Sequence, residues 1–228
     1  MAKILFGAGV GDARGSIGAI TFTKGRNGAV LRSKVSPVQP RSGPVQMVRG
    51  LFGGLSKGWQ SLGAGDRVGW NAMAATVSLT NVFGNTYHPT GLQLYQMLNR
   101  NLDTIGSAHI DVPPDDLTVT GLLTVSSVPD SDPQAFSVAF TATPAEANHH
   151  VVIAVSNMYP AGRVSIPSNT YKMYAGAAAG ASPADILANF QTKFGLLRAG
   201  TRIKIDAWTV NDVNGAASTP ITTIATVA

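Results

Sequence analysis

Five residues, Gly54-Leu55-Ser56-Lys57-Gly58, match the G-x-S-x-G pattern of a nucleophile elbow, in which a sharp strand-to-helix turn holds a serine hydroxyl out for attack on an acyl carbon. The pentad lies inside a run of apolar residues at helical spacing, with no strand before it, and no acid and histidine can be assigned to complete a triad. Small residues that let a helix pack closely account for it better. Gly7-x-Gly9-x-Gly11 invites comparison with a phosphate cradle, but Asp12 stands where the dinucleotide pattern needs glycine and no long helix follows. The histidines are His88, His109, His149 and His150; the last two are adjacent, so on a strand they point to opposite faces and do not chelate one ion as a pair. With Glu146 the only glutamate, a transition-metal site is not expected. Asp111, Asp115, Asp116, Asp130 and Asp132 sit in proline-rich connections without the spacing of an EF-hand loop. The absence of cysteine excludes a disulfide scaffold, a thiolate zinc site, an iron–sulfur cluster and a cysteine nucleophile. The chain is therefore expected not to be an enzyme, and to use no cofactor, metal or small-molecule substrate.

What remains as candidate chemistry is charge. Lys and Arg number 17 against 12 Asp and Glu, for a net +5, but residues 1 to 110 carry 11 basic and 3 acidic groups (+8) and residues 111 to 228 carry 6 and 9 (−3). Within residues 1 to 60, nine Lys or Arg face Asp12 alone. Arg14, Lys24, Arg26, Arg32, Lys34 and Arg41, spaced by glycine, have the makings of a track for a phosphate backbone, with affinity that falls steeply as salt rises. Alternatively, the same glycine- and proline-rich segment adds strands to a neighbouring subunit and sets its cations against an acidic partner surface. Only Phe6 and Phe22 are there for base stacking and no groove-reading motif follows, which favours assembly.

Positioning these groups falls to a few elements. Two short runs, Ile17 to Thr23 and Ala29 to Val35, flank Lys24-Gly25-Arg26-Asn27-Gly28, a hairpin signal. An isolated hairpin is marginal in water, so it needs a partner surface. Residues 36 to 46 hold Pro37, Pro40 and Pro44 and read as an extended arm. Val48, Leu51, Phe52, Leu55, Trp59 and Leu62 recur every three or four residues, the stripe of an amphipathic helix ended by Gly63 to Gly65. Asp66 is placed as N-cap of a second helix through Ala75, bearing Val68, Trp70 and Met73. Residues 76 to 89 read as irregular, and a third helix from Thr90 puts Leu94, Tyr95, Leu98, Leu102 and Ile105 on one side, with Gly106 after its end.

The period then changes. Leu117 to Val128, Ala135 to Thr143, His149 to Met158, Arg163 to Ala177, Thr201 to Asn211 and Ala217 to Val227 read as strands, the last two joined through Asp212-Val213-Asn214-Gly215. One helix interrupts them, with Ser182 as N-cap, Pro183 first, Asp185 in the first turn, Ile186, Leu187, Phe190 and Phe194 apolar, and Gly195 at its close. No export signal, membrane span or Asn-x-Ser/Thr acceptor is read, and a soluble protein made in a reducing compartment is expected.

The order Gly15-Ser16-Ile17-Gly18, Gly25-Arg26-Asn27-Gly28, Pro40-Arg41-Ser42-Gly43-Pro44-Val45-Gln46, Trp59, Asp66-Arg67, Trp70, Pro89-Thr90-Gly91, Leu94-Tyr95 and Asn99 resembles small structural proteins of tailed bacteriophages. The second half, with Ile203, Ile205, Ala207 and Thr209 alternating before Asn214-Gly215 and Ser218-Thr219-Pro220, is similar to a fibronectin type III or immunoglobulin-like domain, from which the helix Ser182 to Gly195 departs. The expectation is an α+β chain in three parts: a basic arm with a β-hairpin (1–45), a helical region (46–110) and an antiparallel β-sandwich with one inserted helix (111–228). The resemblance implies a virion component made in the host cytoplasm, located at the head, as capsid decoration, or in the tail. Its partners would be other virion subunits and copies of itself, with possible contact to packaged nucleic acid and none to membrane. The expected assembly residues are Phe22, Arg26, Arg32, Arg41, Leu51, Phe52, Leu55, Trp59, Trp70 and Tyr95. Two rival readings are nucleic-acid binding through the basic half and a host-surface or carbohydrate module, the latter marked by an exposed cluster around Tyr159, Tyr171 and Tyr174.

Overall fold

The first described elements are four short strands, β1 (Ala2–Ile4), β2 (Gly15–Ile17), β3 (Ile20–Gly25) and β4 (Gly28–Ser33), in an antiparallel sheet ordered β1-β4-β3-β2. The computed structural model describes residues 2–4, 13–26, 28–34, 42–141, 148–163, 166, 171–177 and 182–228. Gly25 pairs with Gly28, so the β3–β4 hairpin closes on a two-residue loop at the glycine-flanked turn that the sequence marks. The single run expected over Ile17 to Thr23 is instead split into β2 and β3 by a turn in which Gly18 has φ +56°. Asn27 and residues 35 to 41, which hold most of the expected extended arm, lie outside the described residues.

Helix α1 (Gly43–Ser61) begins inside the stretch expected to be arm. Pro44 is the reason: in the first turn its missing N–H has no intrahelical partner to lose and its fixed φ is already helical. Helix α2 (Ala64–Thr76) starts from Gly63, three residues before the expected cap, and Asp66 lies in its first turn, where a carboxylate meets the positive end of the helix dipole. Residues 76 to 89, expected to be irregular, contain a small hairpin, β5 (Leu79–Thr80) and β6 (Thr86–Tyr87). Its turn is closed by Asn81, whose Oδ1 accepts from the amides of Phe83 and Asn85 at 2.9 and 3.0 Å. Helix α3 (Gly91–Ile105) begins where expected: Thr90 Oγ1 accepts from the Gln93 amide (3.2 Å) and Gln93 Oε1 accepts from the Thr90 amide (2.9 Å), a capping box. It ends in a Schellman motif, with Gly106 at φ +74° and the amides of Gly106 and Ser107 donating back to Asp103 and Leu102 carbonyls.

The chain divides into two compact units, Met1–Gln96 and Met97–Ala228. In the first, Leu55, Leu62, Trp70, Ala74, Leu94 and Tyr95 are buried. Tyr95 sits between two tryptophans, 5.7 Å from Trp59 and edge-on to Trp70 at 5.4 Å between ring centroids.

In the second unit Asn99 is fully buried and brackets Ile110: its Nδ2 donates to the Ile110 carbonyl (3.1 Å) and its Oδ1 accepts from the Ile110 amide (2.7 Å). Asn99→Ala leaves both backbone groups without these partners, so a loss of about 1–3 kcal/mol is expected by urea denaturation. A loss below roughly 0.5 kcal/mol would show that Ile110 is held by something else. The strands follow: β7 (Thr124–Ser127), β8 (Asp130–Ser131), β9 (Gln134–Ala135), β10 (Ser137–Thr141), β11 (His149–Ser156), β12 (Tyr171–Ala177) and β13 (Ala184–Asp185). Helix α4 (Leu187–Phe194) and strands β14 (Arg202–Asn211) and β15 (Ile221–Thr226) complete the unit. Two antiparallel sheets, ordered β13-β10-β7 and β12-β11-β14-β15, supply one hydrophobic cluster. Val125, Val138 and Phe140 come from the first, Val151, Ile153, Val155, Ile203, Ile205 and Ala207 from the second, with Phe136 and Phe190 5.2 Å apart among them. Strand β14 alternates between half-buried and buried over Arg202 to Thr209, as a sheet with one face on a core requires.

Two expectations in this unit change. The strand expected from Leu117 to Val128 is limited to β7, because side chains take up the upstream carbonyls that a ladder would have used. Thr209 Oγ1 donates to Thr120 O (2.5 Å), and Asn214 Nδ2 donates to Thr118 O (3.2 Å). The helix expected from Ser182 begins only at Leu187: the Ser182 hydroxyl is engaged with the Phe140 backbone of β10, and Asp185 Oδ1 accepts from the Leu187 amide instead. Among the described residues the protein is mixed helix and strand, with four helices, several small antiparallel sheets and no closed barrel. No helix among them is long and apolar enough to cross a membrane.

Candidate assembly interface

Cross-strand register sorts the N-terminal sheet into two faces, since directly opposed residues on antiparallel strands project to the same side. Ile17 opposes Ile20 and Phe22 opposes Leu31, and Lys24 opposes Ala29 on that same face. Ser16 opposes Thr21, Thr21 opposes Arg32 and Thr23 opposes Val30 on the other face. The Ser16 and Thr21 hydroxyls are 2.9 Å apart, as that assignment requires. One face is thus apolar with a cation at its edge, and the other is hydroxyl-rich with Arg32. None of the described residues of β2, β3 or β4 is buried, and Ile17 is 75% exposed.

The expected assembly residues fall into three sets. Phe22 and Arg32 are on opposite faces of the sheet, Phe22 half-buried and Arg32 exposed, and Arg26 is exposed in the β3–β4 turn. Phe52 (39% exposed), Leu51 and Trp59, both half-buried, lie on α1, where Met47 and Val48 are exposed beside them. Leu55, Trp70 and Tyr95 are at most 2% exposed and form the core of the first unit, so they present no surface for contact. Val68, expected on the apolar side of α2, is exposed. Arg41 lies outside the described residues. The sequence reasoning missed Met47 and Val82; the latter stands exposed at the tip of the β5–β6 hairpin, for which only Gly84 and the flanking asparagines were a signal.

The other candidate groups are engaged structurally. Ser56 is inside α1, donating to the Phe52 carbonyl (2.7 Å) and accepting from Gln96 Nε2 (3.0 Å), so no strand-to-helix turn presents it. Gly58 does serve close packing: a Cβ there would lie 2.8 Å from Tyr95 Oη. His149 is buried on β11, and its Nε2 accepts from the Thr120 amide. His150 is half-buried, its Nε2 3.3 Å from Asp212 Oδ2. His109 Nε2 is 3.9 Å from Asp103 Oδ1, and His88 Nδ1 is 2.8 Å from the Val77 carbonyl. No group of three or more potential metal ligands occurs among the described residues. Tyr159 is half-buried, while the side chains of Tyr171 and Tyr174, and Gly7 to Asp12 and Glu146, lie outside what is described. No protein-family model matches the chain, and a search of curated proteins finds no relative.

Proposed function

We propose that the chain is a non-enzymatic structural component of a tailed-bacteriophage virion that assembles through its N-terminal sheet and the exposed side of α1. The observation that carries this reading is a four-stranded sheet with an apolar face and no buried described residue in β2 to β4. Apolar side chains left in water forgo the free energy of burial, and large exposed apolar patches on otherwise well-packed proteins mark interaction surfaces. Ile17, Ile20, Phe22 and Leu31, with Met47, Val48 and Phe52 on α1, are the contact residues of this reading. Arg26, Arg32 and Lys24 supply the electrostatic steering toward an acidic partner.

In the same reading the C-terminal unit is a fibronectin type III- or immunoglobulin-like sandwich carried outward from the assembly. Two antiparallel sheets supplying one hydrophobic cluster support it, as does the crossing of β10, β11, β13 and β14 between sheets in the manner of a Greek key. Helix α4, between β13 and β14, is an addition to that plan.

The test is incorporation. Mass spectrometry of particles purified from the source culture should find the chain in a fixed copy number per particle. Ile20→Asp/Phe22→Asp, which places two charges on the apolar face, should reduce incorporation at least tenfold while leaving tryptophan fluorescence of the helical core unchanged. Absence of the chain from particles, or undiminished incorporation of the double variant, rejects the proposal. Tight, salt-steep binding of the full chain to duplex DNA, lost in Arg26→Ala/Arg32→Ala, would move the function to nucleic-acid binding.

A further inference from the structure

We infer that a cleft on the C-terminal unit binds an acidic monosaccharide, a role separate from assembly through the N-terminal sheet. The cleft is open to solvent and has a volume of about 480 Å³, within the roughly 300–1,000 Å³ typical of small-molecule sites. Its walls are Met158, Tyr159, Pro160 and Phe194, with Asn157, Arg198 and Thr201 supplying the polar groups. Apolar lining that includes two aromatic side chains suits the carbon-rich face of a pyranose, and polar groups among them serve its hydroxyls.

The walls are fixed in place before any ligand arrives. Tyr159 is bound by both its backbone groups to Arg202 at the start of β14, at 2.9 and 2.7 Å. The Arg163 guanidinium lies 4.6 Å from the Tyr159 ring centroid. Phe194 is held by Phe190 of the buried cluster, with centroids 5.0 Å apart. The Arg198 carbonyl accepts from the Thr201 hydroxyl (2.7 Å) and amide (3.3 Å), which sets the turn that carries the arginine.

Arg198 decides the ligand class. It is exposed, and no described acid pairs with it, although residues 111 to 228 carry more acids than bases. A guanidinium presents a planar fork that takes a carboxylate through two parallel hydrogen bonds. Set on a cleft lined by Tyr159 and Phe194, it selects a ring that carries a carboxylate, and the polar groups Asn157 and Thr201 favour a sugar over an aromatic acid.

The experiment follows the Met158 methyl resonance of the full-length protein during titration with glucuronate, N-acetylneuraminate, glucose and benzoate. Both acidic sugars should shift it with millimolar saturation, and glucose should bind at least ten times more weakly. Arg198→Gln should weaken glucuronate about tenfold, the equivalent of one charge-assisted hydrogen bond, and Arg198→Lys should restore only part of it. Arg198 is on the surface, so these variants test binding without touching the core; Tyr159→Ala, which keeps the charge and removes the stacking face, should weaken glucuronate as well. No shift with either acidic sugar, equal binding of glucose, indifference to Arg198→Gln, or binding of benzoate alone overturns the assignment.

Discussion

Trp70→Ala is expected to destabilise the first unit by about 3–5 kcal/mol, the range for emptying a buried aromatic site. Trp70 has no exposed surface, meets Tyr95 edge-on at 5.4 Å, and through Tyr95 is linked to Trp59 of α1. The hole is not easily refilled. Gly58 already lets α1 approach so closely that a Cβ there would be 2.8 Å from Tyr95 Oη, so α1 has little room to move toward the gap. Urea unfolding in a Trp208→Phe background, where Trp59 is the remaining tryptophan, should show the fluorescence midpoint fall and the transition broaden or vanish at room temperature. The result also separates two roles. A contact anchor, as the residue type invites one to expect, would leave stability unchanged on truncation and abolish assembly; unchanged stability in Trp70→Ala would return the residue to the interface and sink the core assignment.

That ambiguity is where the sequence is least informative. Periodicity identifies the apolar side of α1, but it cannot say how far along the helix a partner extends: Leu55 and Leu62 are buried while Val48 and Phe52, on the same stripe, are exposed. Val68 and Trp70 behave the same way on α2. Helix α3, by contrast, is legible throughout because a Thr-x-x-Gln cap, an unbroken stripe and a terminal glycine all agree. Elements decided by distant side chains are hidden. Ser182 has the residue type and position of a cap, yet its hydroxyl is taken by Phe140, 42 residues away, and Thr118 to Gly121 lose their ladder to Thr209 and Asn214. The two faces of the N-terminal sheet are recoverable once the β3–β4 turn is fixed by Gly25 and Gly28, since that register alone separates Phe22 from Arg32. Strand β1, three residues long and paired with β4 rather than its neighbour in sequence, carries no local signal of its own.

Gly215→Ala should strongly destabilise the second unit, and the comparison with Gly200→Ala shows why. Both glycines lie in the left-handed region, at φ +70° and +72°, so each substitution carries the conformational cost of roughly 1–2 kcal/mol for an L side chain there. At Gly200 the added methyl meets open space. At Gly215 it would lie 2.6 Å from the Leu98 carbonyl oxygen and 2.9 Å from its carbon, in the backbone of α3, which cannot swing aside as a side-chain tip would. Relief requires the turn to withdraw from the helix. Withdrawal breaks the bond from Asn101 Nδ2 to the Gly215 carbonyl (2.9 Å), and it strains the Asn214 contacts to Asp116 and Thr118 that hold the segment before β7. Gly200→Ala is therefore expected to lose only the conformational term, and Gly215→Ala at least about 2 kcal/mol more, since contact and hydrogen-bond losses add to it. Paired thermal and urea unfolding of the two variants measures the difference directly, with hydrogen exchange of the α3 amides reporting where it falls. Equal losses would mean that the helix yields at Leu98 without cost, and the bracing of α3 by the turn before β15 would have to be abandoned.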